Sequence, residues 1–267
     1  MATEATPVGV ILVAGVGSRL RPLTDDRPKA LVKVGSETML GRAVRLLLEH
    51  GVGEIVLATG YREDAVRDAM AGCPVPVRYC RNDAFERTQN SVSLWLCREA
   101  IGDRPFFKLD GDLLFEPAVL PRLTAAPAGV AAAIDPRPGL GHEEMKVMTE
   151  GNRITAFGKH LDPDRSAGES IGIERVSGVA VSRLFHSLGE CVAHGETGLY
   201  YEDVYARLPA QGVDLWAVDV GDLGWCEVDT PDDLASARIE IDSWARSARE
   251  LPLRRVVRRS VDGPPVA

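Results

Sequence analysis

Leu12–Val32 reads LVAGVGSRLRPLTDDRPKALV, and the fold turns on how this stretch is read. It follows Val8–Val13 (VGVILV), a short β-branched run that predicts a buried strand. Gly15 and Gly17 make a near miss to G-x-G-x-x-G, the turn that receives a dinucleotide's pyrophosphate. That turn needs a third glycine so that helix and strand pack closely, and a helix straight after it. Here Leu20 holds the third position. Arg21-Pro22 and Arg27-Pro28 favour extended chain, because the residue before a proline avoids the helical region. No acidic residue closes the next strand to hold a ribose; Ala58-Thr59-Gly60-Tyr61 stand there instead. These departures argue against a dehydrogenase. The other reading is a phosphate-wrapping loop. Its glycines let backbone N–H groups approach phosphates, Arg19 grips oxygens in a fork, and Lys29 adds a point charge. A solvated surface loop is the plain alternative. Its place at the carboxyl end of a first strand favours a ligand.

Outward from the loop, strands and helices alternate. Met39–His50 has apolar residues at helical spacing, with Gly51 as a stop. Strands are expected at 54–59, 75–80 and 106–109, with helices at 62–71 and 91–101 between them. This order predicts an α/β fold, a mostly parallel sheet covered on both faces. The second half is less regular, with strands at 130–134, 144–148, 153–157, 176–181 and 214–220. Helices are expected at 182–194, 201–208 and from Pro231, where Thr230 is a good N-cap. The division is one domain over 1–245, with an Arg-rich, partly frayed tail over 246–267.

The 267 residues are 45% apolar and 26% charged, an ordinary globular balance. A net charge of −8 speaks against a broad nucleic-acid surface. The five cysteines are scattered without a C-x-x-C, as expected of reduced thiols in a cytoplasmic protein and not of a zinc site. No secretory leader is read at the N-terminus, and no apolar run reaches the ~18 residues of a membrane helix.

Asp110 and Asp112 flank Gly111 at the end of an apolar strand, and Glu227 and Asp229 end another strand-like run. Carboxylates at strand ends suit a hard, oxygen-preferring cation such as Mg²⁺, and the two pairs are placed to meet over one ion. Turn-forming Asp-Gly segments are the alternative. The histidines have no evident chemical partners.

These residues carry a resemblance. Leu12–Val34 is similar to the N-terminal signature of the sugar-phosphate-type nucleotidyltransferases, a long motif met at nearly every position, with Val13 a small departure. Asn82, Phe85, Thr88, Asn90, Ser93 and Leu94 resemble a pattern of the bacterial choline-phosphate, phosphonate and inositol-phosphate cytidylyltransferase branch. The segments 143–147, 158–159, 168–173 and 200–204 fit the same branch, so the likeness spans about 9–237.

The resemblance implies a Rossmann-like three-layer α/β/α fold with a smaller α+β acceptor-binding insertion at roughly 130–210. It also implies a Mg²⁺-dependent cytidylyltransferase acting on CTP and a small phosphonate or phosphate ester. Its catalytic residues would be Arg19, Lys29 and Lys159. The nucleotide would rest on Ala14, Gly15, Val16, Gly17, Ser18, Tyr61, Thr88, Gln89, Asn90, Ser91 and Asp110. The metal would be held by Asp112, Asp229 and Glu227, and the acceptor by Lys146, Glu169, Tyr201 and Glu202. Helix capping by Thr88, Asn90 or Ser91, and plain surface roles for Lys146 and Lys159, remain open. Aromatics are only 6% of the chain and DPRPGLGHEE (135–144) has none, so a choline box looks thin and a phosphonate or small phosphomonoester is favoured. Two other readings remain. One is a sugar-, inositol- or N-acetylmuramate-phosphate nucleotidyltransferase using CTP or UTP; the other is a non-catalytic nucleotide-binding regulator. The resemblance leaves room for a homodimer and gives no sign of a nucleic-acid or membrane partner.

Overall fold

The computed structural model describes residues 5–250, with side chains as far as 244. In chain order the strands and helices are β1 (Val8–Leu12), β2 (Lys33–Val34), β3 (Glu37–Thr38), α1 (Met39–Glu49), β4 (Glu54–Thr59), α2 (Glu63–Met70), β5 (Val77–Arg81), α3 (Asn90–Leu96) and α4 (Arg98–Ile101). They continue as β6 (Phe106–Asp110), β7 (Leu113–Phe115), α5 (Val119–Ala125), β8 (Val130–Asp135), β9 (Lys146–Glu150), β10 (Arg153–Gly158) and β11 (Gly168–Val176). The last are α6 (Val179–Ala193), α7 (Tyr201–Tyr205), β12 (Leu215–Asp219), β13 (Trp225–Glu227) and α8 (Pro231–Glu250). The Arg-rich segment expected after residue 245 is thus helical backbone as far as Glu250; its remainder, 251–267, lies outside the described residues.

Nine strands form one sheet in the order β5-β4-β1-β6-β11-β8-β12-β10-β9. β5, β4, β1 and β6 run parallel, as do β8 and β12. β11 enters antiparallel between β6 and β8, and β10 and β9 close the far edge antiparallel. Alternation along each strand builds two cores. Val8 and Val10 face one core with Leu94, Leu184 and Tyr205, under α3, α6 and α7. Ile11 faces the other with Leu47, Val66 and Leu120, under α1, α2 and α5. The result is three layers, α/β/α.

A third, smaller core explains Leu20. It is fully buried with Val34, Leu114, Val228, Leu234 and Ala237, so α8 packs on the glycine loop and fixes it against the segment that carries Asp229. The helix that packs on Leu20 comes from the far end of the described chain, not from the residues that follow the loop.

Several expected boundaries moved. The run VSGVAV at 176–181 is no strand: β11 ends at Val176, Gly178 turns the chain at φ +63°, and α6 starts at Val179. Helical spacing of Val181, Leu184 and Leu188 outweighs the β-branched composition there. The expected helix 91–101 breaks at Cys97 into α3 and α4. β7 was not foreseen, and its partner β13 is the strand-like run that ends at Glu227. They form a two-stranded ribbon pairing Leu113 with Glu227, which draws Asp112 beside the C-terminal carboxylates.

Candidate active site

The glycine loop leaves β1 and folds back on itself. Thr24 Oγ1 donates to the Gly17 carbonyl (2.9 Å), and Tyr61 donates to the carbonyls of Thr24 (3.1 Å) and Asp25 (2.7 Å). Gly17 sits at φ +70°, and a Cβ there would lie 2.5 Å from Lys29 Cβ, so only glycine lets Lys29 cross beneath the loop. Lys29 stands on a short 3₁₀ turn after Pro28.

Its ammonium bridges Asp112 (2.5 Å) and Asp229, and Arg19 pairs with the other Asp229 oxygen (2.5 Å). The capping residues of α8 place Asp229: Asp233 accepts from the backbone N–H of Asp229 (3.1 Å) and Thr230 (2.8 Å), while Thr230 Oγ1 accepts from Asp233 N–H (3.2 Å). Asp112, Glu227 and Asp229 each offer an oxygen within 4.8 Å of the others. Three carboxylates around a point that already holds a cation, the Lys29 ammonium, fit a hard divalent ion. Loss of water around the Glu227 carboxyl, with repulsion from Asp112 and Asp229, pushes it up to about 8, although much of the residue is exposed. Burial works to raise Asp229, but Lys29 and Arg19 outweigh it and hold the group below the usual range. Burial likewise works to lower Lys29, and the two aspartates reverse it.

This cluster lies where two cavities meet. The smaller, about 290 Å³, is walled by Gly15, Gly17, Ser18, Arg19, Lys29, Asp112 and Asp229. The larger, about 370 Å³, shares Gly15 and Asp112 and runs past Ala14, Thr88, Gln89, Asn90 and Asp110 to Lys159, Glu169, Tyr201, Glu202 and Glu227. Val16, Tyr61, Ser91 and Lys146 wall neither. Tyr61 braces the loop, and Ser91 donates to the Leu199 carbonyl (2.6 Å). Lys146 is 1% exposed and donates to the carbonyls of Lys159 (2.8 Å) and Glu144 (3.2 Å), which supports the Lys159 segment from behind.

No side chain caps α3, so the capping reading of Thr88 and Asn90 falls away. Thr88 Oγ1 accepts from Asn82 (2.9 Å) and donates to the Ala84 carbonyl (3.1 Å). Asn90 Oδ1 accepts from the Tyr201 backbone N–H (3.0 Å), tying this wall to α7.

Asp110 is not one of the metal trio; its carboxylate joins a buried cluster that the sequence did not reveal. Lys108, fully buried, reaches Glu174 (2.8 Å), Asp110 (3.3 Å) and the Gly172 carbonyl (3.2 Å), and lies 3.4 Å from the Tyr201 ring centroid. Tyr201 donates to Asp110 (2.7 Å). Gly172, at φ +78°, allows this: a Cβ there would stand 2.5 Å from Asp110 Oδ2. Burial raises Asp110 against the pull of Lys108, and burial with nearby carboxylates pushes Glu174 up to about 7 and Glu202 to about 8. At the rim, Arg137 pairs with Glu169 (2.5 Å) and stacks over Trp225 (5.0 Å), while Lys159 pairs with Glu143 (3.3 Å). Lys108 had a legible signal, a charge at an inward position of the strand FFKLD. Arg137 had none, since loop arginines are common.

A three-layer sheet whose basic glycine loop faces a carboxylate trio defines the class as nucleoside-triphosphate transferases. The chain belongs to the MobA-like NTP transferase domain family, which matches residues 9–215. Over 248 residues, 88% of this chain, it is 33% identical to the CMP-5'-(3-aminopropyl)phosphonate synthase of Streptomyces rubellomurinus. Over 248 residues, 92% of this chain, it is 33% identical to the bifunctional IPC transferase and DIPP synthase of Rubrobacter xylanophilus. The chain spans 39% and 54% of those two proteins' lengths. The fold is shared with the inositol-1-phosphate CTP transferase from T. maritima, at a TM-score of 0.76 and 23% identity over 92% of this chain and 98% of that one. No helix among the described residues is long and apolar enough to cross a membrane.

Proposed function

We propose that this protein is a cytoplasmic, Mg²⁺-dependent cytidylyltransferase that joins CMP from CTP to a small phosphonate or phosphomonoester and releases pyrophosphate. The observation that carries this reading is Lys29, whose ammonium joins Asp112 to Asp229 where the two cavities meet. The smaller cavity, with its basic loop, suits the β- and γ-phosphates. The larger suits the base and the acceptor. Among the described residues the Gln89 side-chain amide and Asn90 Nδ2 have no hydrogen-bond partner, so both are free to read a base edge. The similarity to a CMP-phosphonate synthase supports cytosine.

In this reaction an acceptor oxygen attacks the α-phosphorus, forming a P–O bond. The α–β bridging bond breaks, and pyrophosphate leaves with the electron pair. The acceptor is already an anion near pH 7, since a phosphate's second pKa is about 6, so no general base is required. The barrier lies in bringing anions together, which makes positioning and electrostatics dominate. Arg19 steadies the leaving pyrophosphate. Lys29 exchanges its aspartate partners for phosphate oxygens, and Lys159 shares the charge between donor and acceptor. When bound by Asp112, Asp229 and Glu227, Mg²⁺ supplies polarisation of the α-phosphoryl group and neutralises triphosphate charge.

An inositol phosphate is the second acceptor reading, favoured by the likeness to an IPC transferase across most of the chain. A pyrophosphate-release screen tests both. It crosses four NTPs with phosphonates, choline phosphate, inositol phosphate and sugar phosphates, with Mg²⁺ and with a chelator. Chelator-sensitive release from CTP with a phosphonate or small phosphomonoester is expected. Release from UTP with a sugar phosphate would overturn it, and nucleotide binding without release would point to a regulator.

A further inference from the structure

Lys29 stands on the oxygens that a metal ion would take. Its ammonium touches one oxygen of Asp112 (2.5 Å) and one of Asp229, and Arg19 takes the other Asp229 oxygen (2.5 Å). Both Asp229 oxygens are therefore engaged by cations of the chain. Asp112, Glu227 and Asp229 offer oxygens within 4.8 Å of one another, and the Lys29 ammonium bonds to two of those three groups. A divalent ion seeking the same carboxylates meets that ammonium, and like charges repel. Lys29 and a free divalent ion thus compete for one set of oxygens.

The loop pins the base of this side chain and leaves its end movable. A Cβ at Gly17 would lie 2.5 Å from Lys29 Cβ, so the base of the lysine is pressed against the loop. The residue opens the 3₁₀ turn Lys29–Leu31, whose Ala30 and Leu31 are buried. A flexible four-carbon stem then carries the ammonium to the boundary of the two cavities. Lys29 and Arg19 also wall the smaller cavity, with Gly15 and Gly17. A triphosphate in that cavity offers both cations more negative charge than the two aspartates do. Rotation of the Lys29 stem moves the ammonium from carboxylate to phosphate and requires no shift of the backbone. With Arg19, 66% exposed, turning the same way, both Asp229 oxygens are released together.

Resting on the cytidylyl-transfer reading, we propose that Lys29 gates the metal site: its ammonium shuts Asp112 and Asp229 to a free divalent ion and opens them when a triphosphate draws it away. Lys29 thereby ties ion entry to triphosphate entry. Its return to the aspartates after pyrophosphate leaves closes the site again. Arg19 plays the lesser part, since among the carboxylates it pairs with Asp229 alone and is the more exposed of the two cations.

The test is Mn²⁺ binding without nucleotide, followed by the electron paramagnetic resonance of the free ion. Lys29→Met keeps the length of the stem and removes its charge. It should bind Mn²⁺ at least ~10-fold more tightly than wild type. Arg19→Met should gain less, and Lys29→Met with Asp112→Asn should lose the gain. The rise of melting temperature with MgCl₂ should follow the same order. Equal Mn²⁺ binding by wild type and Lys29→Met, tight or absent, overturns the proposal while cytidylyl transfer stands. If Lys29→Met does not fold, Lys29→Gln takes its place. Wild type alone also decides, because saturation of the nucleotide-free protein by ~10 μM Mn²⁺ is too tight for a closed site. No binding of CTP with Mn²⁺ by calorimetry, and no pyrophosphate from any acceptor, fails the underlying reading, and this one with it.

Discussion

Two sets of three carboxylates flank the Gly111 turn, each built around a lysine. Asp112, Glu227 and Asp229 gather at Lys29; Asp110, Glu174 and Glu202 gather at Lys108. The difference is water. The Lys29, Asp112 and Asp229 side chains are 14%, 20% and 23% exposed, whereas Lys108, Glu174 and Glu202 are buried and only Asp110 of that set is partly exposed, at 27%. Charges that touch water exchange partners at modest cost, and buried charges do not. The first set is therefore suited to a metal and a triphosphate that arrive and leave. The second holds a fixed shape.

The largest effect should come from the open set. Asp112→Asn removes a metal oxygen's charge and one partner of Lys29, and we expect a loss of about 10³-fold or more in pyrophosphate release. The melting temperature should change little, because Lys29 keeps Asp229 as a partner and the repulsion between Asp112 and Glu227 is relieved. Near-normal Mg²⁺-dependent turnover from a folded variant would remove the metal assignment. The closed set should behave in the opposite way. Lys108→Met strands Glu174 in the core and should cost about 3–5 kcal/mol in urea unfolding, while Lys108→Met with Glu174→Met should recover most of it. A cost under ~1 kcal/mol for the single variant would mean that the two sets do not differ as described.

The same contrast explains what the sequence disclosed. The open set was legible because its parts are local: a long loop motif, two acidic strand ends and an N-cap at Thr230. Phosphate binding constrains consecutive backbone, and consecutive backbone is what a motif records. Even so, nothing local accounted for Leu20, because its partners Val228 and Leu234 lie some 200 residues away. The closed set draws on β6, β11 and α7, brought together by a sheet order in which β11 inserts between β6 and β8. No spacing encodes that insertion. The β-branched VSGVAV run also hid the register of β11, and with it Glu174. Tyr201 and Glu202 were reached through the family likeness, and Lys108 was missed despite its inward position in β6.

The smallest effect sharpens the charge state of the closed set. Burial raises Glu174 to about 7 and Glu202 to about 8, with neighbouring carboxylates adding to it and Lys108 opposing it. A carboxyl raised on folding binds its proton more tightly in the native state than in the unfolded one. Its contribution is complete below the unfolded value near 4.5 and is lost as pH rises through the folded value. Stability should therefore fall from about pH 5 to about pH 9, each titrating group contributing up to ~1.4 kcal/mol per pH unit. Glu202→Gln removes one such group, so its unfolding free energy should decline less steeply than wild type between about pH 6 and 9. Coincident slopes in urea titrations across that range would show that Glu202 is already ionised in the folded protein. The closed set would then be balanced by Lys108 and a further partner.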